Sequence, residues 1–372
     1  MLIVKEVLTK KDSKKFTKFP NELYHSNPYF VPALSVDEEA VFNKKNNPAL
    51  KYCESVRFLV YENNKIVGRI AGIINNNLNE KNNEKVARFT RIDMIDDIKV
   101  TELLINTIVK WAKSFGMTKL IGPMGFTDMD RMGMLSEGFE FLNMAITIYN
   151  APYYHQHLEK LGFRVDAEWL EMKIDWPTEI PPKIERVAEI VRNRYNYRLV
   201  KLTKRSEIPL YAKKAFHIYN KAFMNLYGFD PLNDEMMDYY IKQVKILVQF
   251  DYLWFVLNEK DDVIGFGIIM PSLAKALKRS KGKLLPLGIF RVLRTLKKSD
   301  VIDFYFIAVD PEYQAKGVLS LIMEDCFYQG KKRNVKYALT GPQLVTNEKI
   351  QNQWKDYNPE VIRKRRSYTI EI

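Results

Sequence analysis

One stretch near the end of the chain, residues 301–323, constrains the fold more than any other. An apolar strand at residues 301–309 stops at Asp310 and Pro311, and an amphipathic helix begins just beyond Gly317. Pro311 ends the strand because it has no N–H to donate, and Gly317 lets the backbone come close to a ligand. The first N–H groups of a helix have no partner within it, and the helix dipole favours an anion there. The sequence therefore predicts an α/β unit whose turn holds a phosphate group.

The length of the chain predicts two domains. Its 372 residues exceed what one hydrophobic core usually supports. A polar run with three prolines, residues 175–182, ends the last strand of the first half and is the predicted boundary. On each side of it, strands and helices alternate in a similar order. We therefore predict two tandem copies of one α/β fold, residues 1–178 and 179–372.

The order Val309, Pro311, Gln314, Gly317 and an apolar helix resembles the acetyl-coenzyme A loop of the GNAT superfamily of N-acetyltransferases. The family pattern is Arg or Gln, two residues, Gly, one residue, then Gly or Ala; Leu319 stands here where the small residue is usual. The element order is similar to the family over nearly the whole chain, which further resembles bacterial tandem-GNAT proteins of unassigned substrate. The resemblance implies two tandem GNAT-like domains, each a central mixed β-sheet flanked by helices.

The resemblance also implies a coenzyme site in the second half. The co-substrate would be acetyl-CoA or another acyl-CoA, with its thioester carbonyl held by a backbone N–H near Ala308 or Val309, where strand pairing opens. The turn amides would hold the pyrophosphate, and Asn347 would bind the pantetheine arm. The residues implied for coenzyme binding are Ala308, Val309, Gln314, Ala315, Lys316, Gly317, Val318, Leu319 and Asn347.

Acyl transfer by direct attack on a thioester needs a base for the amine and an acid for the leaving thiolate. GNAT members often carry a Tyr seven residues after the Asn, but Trp354 stands there, and an indole is no acid. Tyr357, one helical turn further, is the candidate catalytic acid; simple packing of both rings is the alternative.

Asp303 and Tyr305 are the other candidate catalytic residues. They lie at period two with Val309 on the predicted strand, so we expect the three side chains to share one face. A buried strand rarely carries a carboxylate without a partner, so Asp303 either relays a proton through water or forms a salt bridge.

The first half has no comparable loop. Its equivalent segment, residues 92–98, contains no glycine and carries Asp93, Asp96 and Asp97. Three carboxylates repel a pyrophosphate, so we expect this half to lack coenzyme binding and to shape the acceptor cleft. The alternative for the individual residues is that they solvate the turn or cap the helix that begins near Val100.

The formal net charge of +13 favours anionic partners. Residues 273–299 hold nine Lys or Arg and no acidic residue, and their apolar residues recur at helical spacing. They predict an amphipathic basic helix, which either packs its apolar stripe on its own domain, covers the cleft, or contacts an acidic carrier protein or an anionic membrane. We expect no stable nucleic-acid complex. The apolar stripe comprises Leu285, Ile289, Val292, Leu293 and Leu296.

Nothing in the sequence predicts a metal site or a disulfide framework. The two cysteines, Cys53 and Cys326, lie one in each half. His155 and His157 lie two apart on a predicted helix, where their side chains diverge by about 200°. No apolar run approaches the ~20 residues of a membrane span, and the N-terminus lacks a leader pattern, so we expect a soluble cytoplasmic protein.

These patterns favour an N-acyltransferase that moves an acetyl or longer acyl group to an unidentified small-molecule or peptide amine. Two other functions stay open. A Fem-like aminoacyl transferase would use charged transfer RNA and would not need the loop at Gln314. A non-catalytic acyl-CoA-binding protein would bind the ligand but release no thiol.

Overall fold

The computed structural model describes all 372 residues as fourteen strands and twelve α-helices. The strands are β1 (Leu2–Glu6), β2 (Cys53–Glu62), β3 (Lys65–Asn75), β4 (Val86–Met94), β5 (Lys119–Gly122), β6 (Met134–Glu137), β7 (Arg164–Asp175), β8 (Arg198–Val200), β9 (Leu253–Leu257), β10 (Val263–Pro271), β11 (Val301–Val309), β12 (Tyr337–Thr340), β13 (Gln343–Leu344) and β14 (Glu360–Glu371). The helices are α1 (Lys10–Leu23), α2 (Ser35–Val41), α3 (Asn76–Asn82), α4 (Ile98–Ser114), α5 (Tyr153–Lys160), α6 (Pro182–Tyr195), α7 (Ile208–Phe223), α8 (Asp234–Leu247), α9 (Ala274–Ser280), α10 (Gly288–Lys298), α11 (Val318–Lys332) and α12 (Glu348–Asn352).

All strands belong to one mixed sheet. Counted inward from its own edge of the sheet, each half contributes five strands in chain order. The order is β1-β2-β3-β4-β5-β14-β7-β12-β11-β10-β9-β8, with β6 beside β14 and β13 beside β7. Strands β1 to β5 of the first half therefore correspond to β8 to β12 of the second. The palindromic order confirms the predicted α/β fold with two copies of one unit.

The two copies exchange their last strands. Strand β14 ends the chain but pairs with β5 of the first half, and β7 of the first half pairs with β12 of the second. Strands β7 and β14 pair with each other along a long ladder at the middle of the sheet. The segment predicted as a domain boundary does lack regular structure between β7 and α6. A cut at residue 178 would nevertheless leave each half without one of the central strands of its sheet.

The same close helix packing occurs in both copies. Side chains of α4 lie so near Gly68 and Gly72 on β3 that a Cβ there would stand 2.9 Å from Val100 and 2.6 Å from Trp111. On β10, a Cβ at Gly265 or Gly267 would stand 3.0 Å from α11. Glycine at these positions lets helix and sheet approach each other in each copy.

A buried ion cluster joins the exchanged strands. Glu171 on β7 contacts both Arg363 and Arg365 on β14, and all three side chains are at most 1% exposed. Arg365 also donates to the Asn143 side chain at 2.9 Å, and Arg363 donates to the Leu142 carbonyl at 2.9 Å. The cluster therefore fixes the loop after β6 against the central ladder. We call these three residues the Glu171 cluster.

No helix is both long enough and apolar enough to cross a membrane.

Candidate functional site

The turn between β11 and α11 presents unpaired backbone N–H groups. Ala315 and Gly317 have positive φ angles of 63° and 77°, which turn the chain sharply before the helix. The N–H groups of Ala315, Gly317, Val318 and Leu319 have no acceptor anywhere in the protein. Residues 314–316 are exposed to solvent, and α11 is fifteen residues long. Such a turn at a helix N-terminus favours an anion, as the sequence predicts. We call residues 314–319 the α11 turn.

The equivalent turn of the first half already bonds most of the donors at the start of its helix, leaving the N–H of Ile98 without an acceptor. The Asp97 carboxylate accepts from the N–H of Lys99 at 2.9 Å and caps α4. The N–H groups of Val100 and Thr101 donate to the Asp97 carbonyl at 3.0 and 3.2 Å. Capping of this helix by an aspartate, one of the predicted alternatives, is confirmed. An anion would meet the Asp97 carboxylate here, and the N–H groups of Lys99, Val100 and Thr101 would not be free to bind it.

The other two carboxylates of that turn are also engaged. Asp93 is buried and pairs with Arg69, whose Nε lies 2.7 Å from Oδ2. Asp96 lies 3.2 Å from Nε2 of His157. His155 instead contacts the Tyr368 hydroxyl at 2.6 Å, so the two histidines have different partners.

Strand β11 parts from β12 before it reaches the α11 turn. The two strands pair over four residues, from Val301 with Tyr337 to Phe304 with Thr340. A last bond from the Gly341 N–H to the Phe304 carbonyl, 3.1 Å, ends the ladder. Beyond it, β11 continues to Val309 beside β10 alone. The resemblance to GNAT acetyltransferases implies that the acyl group enters at the resulting open edge.

A bulge at Tyr305 decides which groups face this edge. In the β10 ladder, Ile268 pairs with Phe306 and Ile269 with Phe304, so Tyr305 is an extra residue. Past the bulge, the Asp310 N–H donates toward β10, to Ile264 at 2.9 Å. Because donors alternate along a strand, the N–H of Val309 points to the open edge and that of Ala308 toward β10. Of the two predicted positions, Val309 has the geometry to hold a carbonyl.

The bulge also overturns one prediction. Val309 packs in the core under α11, together with Phe304 and Ile302. Tyr305 packs on the opposite side of the sheet, against the cluster beneath α9 and α10. The expectation that Asp303, Tyr305 and Val309 share one face is wrong, because an extra residue shifts the period-two alternation.

Asp303 is fully buried and unbonded. Its exposure is 0%, and neither carboxylate oxygen has a hydrogen-bond partner. Burial raises the pKa of this carboxyl to about 7, although Ser272 and Arg363 nearby favour the charged form. The prediction of a salt bridge is therefore not met, and a carboxyl that titrates near neutral pH is suited to accept a proton.

Tyr305 links the loop strand to the first half of the chain. Burial raises the pKa of its phenol, while the charges of Asp303 and Arg131 act on it in opposite directions. Arg131 comes from the loop before β6 and donates to the Ala145 carbonyl at 2.6 Å. The phenol thus stays neutral between a carboxyl of one copy and a guanidinium of the other.

The aromatic residues near α12 mainly pack. Trp354 is 3% exposed and its ring stands 4.8 Å from that of Phe304 on β11. Tyr357 contacts Trp354 and Phe327, and burial raises the pKa of its phenol to about 12. The side chain of Asn347 caps α12 by accepting from the Ile350 N–H at 3.4 Å. Roles for Tyr357 as acid and Asn347 in pantetheine binding stay predictions.

The first half contains a charged cavity of about 70 Å³ that the sequence analysis missed. Three arginines and two carboxylates line it, and Arg91 Nε lies 3.3 Å from Glu38. Burial would raise the pKa of Glu38, but the arginine charges outweigh burial and lower it to about 2. Charged residues inside otherwise apolar strands, such as Arg69 on β3 and Arg91 on β4, were the available signal. The charged lining residues are Glu38, Arg69, Arg91, Asp93 and Arg131. We call this space the first-half cavity.

The cavity lies beside the open edge of β11. Thr147 and Ile148 line it, and their neighbour Ile146 reaches to within 3.9 Å of the Cβ position of Gly341, where β11 and β12 part. On another wall lies Arg131, whose positive charge opposes the rise in the pKa of the Tyr305 phenol that burial causes. A group bound in the cavity and an acyl group at the open edge would thus be close neighbours across the boundary between the copies.

Comparison with known proteins gives two curated relatives, whereas no protein-family model matches the chain. The chain is 27% identical over 303 residues to protein YghO of Escherichia coli, covering 80% of this chain and 76% of that protein. It is 24% identical over 313 residues to a bacterial ceramide synthase of Caulobacter vibrioides, covering 81% of this chain and 78% of that enzyme.

Solved structures with the same fold include GNAT proteins. A tandem GNAT protein from the clavulanic acid biosynthesis pathway, solved without acetyl-CoA, superposes over the whole chain and 98% of its own length, with a TM-score of 0.59 and 10% identity. A GCN5-related N-acetyltransferase from Sphaerobacter thermophilus gives a TM-score of 0.54 at 7% identity, over the whole chain and 95% of its own. The protein therefore has the tandem GNAT fold that its sequence predicts.

Proposed function

We propose that this protein is an N-acyltransferase that moves an acyl group from acyl-CoA to a primary amine by direct attack. The observation that carries the proposal is the α11 turn, whose free N–H groups lie at the end of an opened strand. In the first-half turn Asp97 caps the helix, and the N–H groups of Lys99, Val100 and Thr101 are already bonded, which favours one coenzyme site in the second half.

The chain offers a position for each part of the donor. The α11 turn would hold the pyrophosphate, and the exposed Lys316 would add a positive charge beside it. The Val309 N–H at the open edge would donate to the thioester carbonyl and stabilise the charge that develops there. Asn347 keeps its side-chain amide free to donate to the pantetheine arm, because only its oxygen caps α12.

The acceptor we propose is a long-chain amino alcohol. A ceramide is the amide that forms when the nitrogen of a long-chain amino alcohol is acylated, and the Caulobacter relative is named a ceramide synthase. The first-half cavity pairs carboxylates and arginines with apolar walls that include Phe30 and Met134. Its polar groups suit the amino and hydroxyl groups of the acceptor head, and its position beside β11 would bring the amine to the thioester.

Two protons must move during this reaction. The amine nitrogen bonds to the carbonyl carbon, the C–S bond breaks, and the nitrogen loses a proton as the amide forms. Asp303, with a pKa of about 7, would accept that proton through water or through Tyr305. Tyr357 keeps its own proton at neutral pH and would donate it to the leaving thiolate, the role that the sequence predicts.

The test is a matched assay of both products. The protein is incubated with acyl-CoA of short, medium and long chains and with a long-chain amino alcohol or a peptide amine. Free thiol is followed by a colorimetric reagent, and the amide by mass spectrometry. We expect equal amounts of thiol and amide, both requiring the long-chain amine. Binding of acyl-CoA without thiol release for any amine would contradict the proposal and favour a binding protein.

A further inference from the structure

Helix α10 and the turn before it carry apolar side chains on their outer face as well as on the inner face of the helix. Four large apolar residues between positions 285 and 293 are strongly exposed, with Leu285 at 78% and Phe290 at 68%. Leu287 and Leu293 are 59% and 48% exposed, and with Phe290 they recur every three residues along one side. The other exposed large apolar residues are scattered over the chain. We call Leu285, Leu287, Phe290 and Leu293 the α10 face.

These side chains do not contribute to the core of their own domain. Val292 and Leu296, on the opposite side of α10, are 0% and 2% exposed and pack against Leu273 and Leu277 near α9. The stripe that the sequence predicts is therefore split, because Leu285 and Leu293 point outward. Since the inner face alone attaches α10 to the protein, the outer face is free to contact something else.

The surroundings of the α10 face are strongly basic. Residues 273–299 hold nine Lys or Arg and no acidic residue. None of these nine residues forms an ion pair with the rest of the protein, whereas nineteen such contacts occur elsewhere. All but Lys278 are exposed to solvent. The cations are Lys275, Lys278, Arg279, Lys281, Lys283, Arg291, Arg294, Lys297 and Lys298.

We propose that the α10 face docks on the surface of a bilayer that contains anionic phospholipid. Protruding leucine and phenylalanine side chains beside unpaired cations are the pattern of a helix that lies in a membrane interface. Leu285, Leu287 and Phe290 enter the boundary of the acyl chains, and the surrounding Lys and Arg contact the phosphate groups. Charge complementarity selects an anionic lipid surface as the occupant.

The docked element is joined to the wall of the first-half cavity. Ser35 donates its N–H to the Gly282 carbonyl at 3.0 Å, so the turn before α10 rests on the segment 28–35. Val31 of that segment belongs both to the cluster beneath α10 and to the cavity lining. Docking would therefore place the cavity next to the bilayer, which suits an acceptor that is itself a lipid. This last point depends on the proposed function; docking itself does not.

Vesicle flotation tests the proposal without any activity measurement. Full-length protein is mixed at low salt with vesicles of phosphatidylcholine and phosphatidylglycerol, or of phosphatidylcholine alone. We expect flotation with the anionic vesicles only, and its loss when salt is raised. Leu287→Asp and Phe290→Asp should each weaken partition on the order of tenfold.

The matched control is Leu210→Asp on α7. Leu210 is 63% exposed, close to the 59% of Leu287, and its substitution changes the charge equally. It should float as the unchanged protein does. Equal flotation of Leu287→Asp and Leu210→Asp, or binding to neutral vesicles as strong as to anionic ones, would overturn the proposal. So would a lack of flotation together with capture of an acidic acyl carrier protein that Phe290→Asp abolishes.

Discussion

Burial of the Asp303 carboxyl without a hydrogen-bond partner has a cost that depends on pH. The folded pKa is about 7, above the value of about 4 in an unfolded chain, so the folded protein holds a proton that the unfolded chain releases. This group therefore lowers the stability progressively as pH rises from about 4 to about 7. Asp303→Asn removes that loss. We expect the substitution to stabilise the protein by a few kcal/mol more at about pH 8 than at about pH 5.

Denaturant unfolding of both proteins at the two pH values measures this difference. If the gain from Asp303→Asn is the same at both pH values, the carboxyl does not titrate near neutrality. Its proposed part in proton transfer would then lose its basis.

The Glu171 cluster makes a separate prediction about stability. Glu171→Gln would leave two guanidinium groups that are at most 1% exposed without a counterion. Loss of one partner from a buried ion pair typically costs about 3–5 kcal/mol. Glu168→Gln is the matched control on the same strand, because its partner Arg366 is partly exposed and such pairs contribute about 0–1 kcal/mol. Urea unfolding of both variants should show this contrast; similar midpoints would contradict it.

At the scale of single elements, the α11 turn is the part that we propose binds the donor. Lys316→Glu would place a carboxylate beside the free N–H groups and repel a pyrophosphate. We expect calorimetry to show acyl-CoA binding weakened on the order of tenfold or more. A substitution at Gly317 is less suitable, since a Cβ there would stand 2.7 Å from Val191 on α6.

The control for Lys316→Glu is Lys332→Glu. Lys332 is the last residue of the same helix and is exposed, and its substitution changes the net charge by the same amount. Its variant should bind acyl-CoA like the unchanged protein. Weakening of equal size in both variants would mean that overall charge, not the turn, governs binding.

The sequence predicts this element well because its signals are local. Pro311, Gly317 and the apolar run before them mark the strand end, the turn and the helix start directly. The bulge at Tyr305 has no such signal, since it depends on how β10 and β11 align. The sequence therefore places the strand correctly but assigns Val309 to the wrong face of it.

On the scale of the whole molecule, the exchanged strands make the two copies depend on each other. A fragment of residues 1–178 would lack β14, which separates β5 from β7, and would expose unpaired edges in the middle of its sheet. We expect each fragment alone to aggregate, and the fragments 1–178 and 179–372 to form a one-to-one complex when co-expressed. Size-exclusion chromatography distinguishes these cases. A monomeric fragment 1–178 with a cooperative unfolding transition would contradict the expectation.

The repeat was visible in the sequence, but the exchange was not. The periodicity of apolar residues predicts the strands and helices of each copy. The partner of a terminal strand is instead set by contacts between residues nearly two hundred positions apart, such as Glu171 and Arg363. The first-half cavity had a weaker signal in the charges of β3 and β4. Only the folded chain brings those charges together with Glu38 from α2.

Hydrogen exchange with and without coenzyme A tests the central claim most directly, because it compares the two copies within one molecule. Four N–H groups of the α11 turn are free, whereas those of Lys99, Val100 and Thr101 in the first half are already bonded. We predict that the coenzyme slows exchange at residues 314–319 and leaves residues 92–101 unchanged. Protection at residues 92–101, or no protection at the α11 turn under saturating coenzyme, would contradict a single acyl-CoA site in the second half.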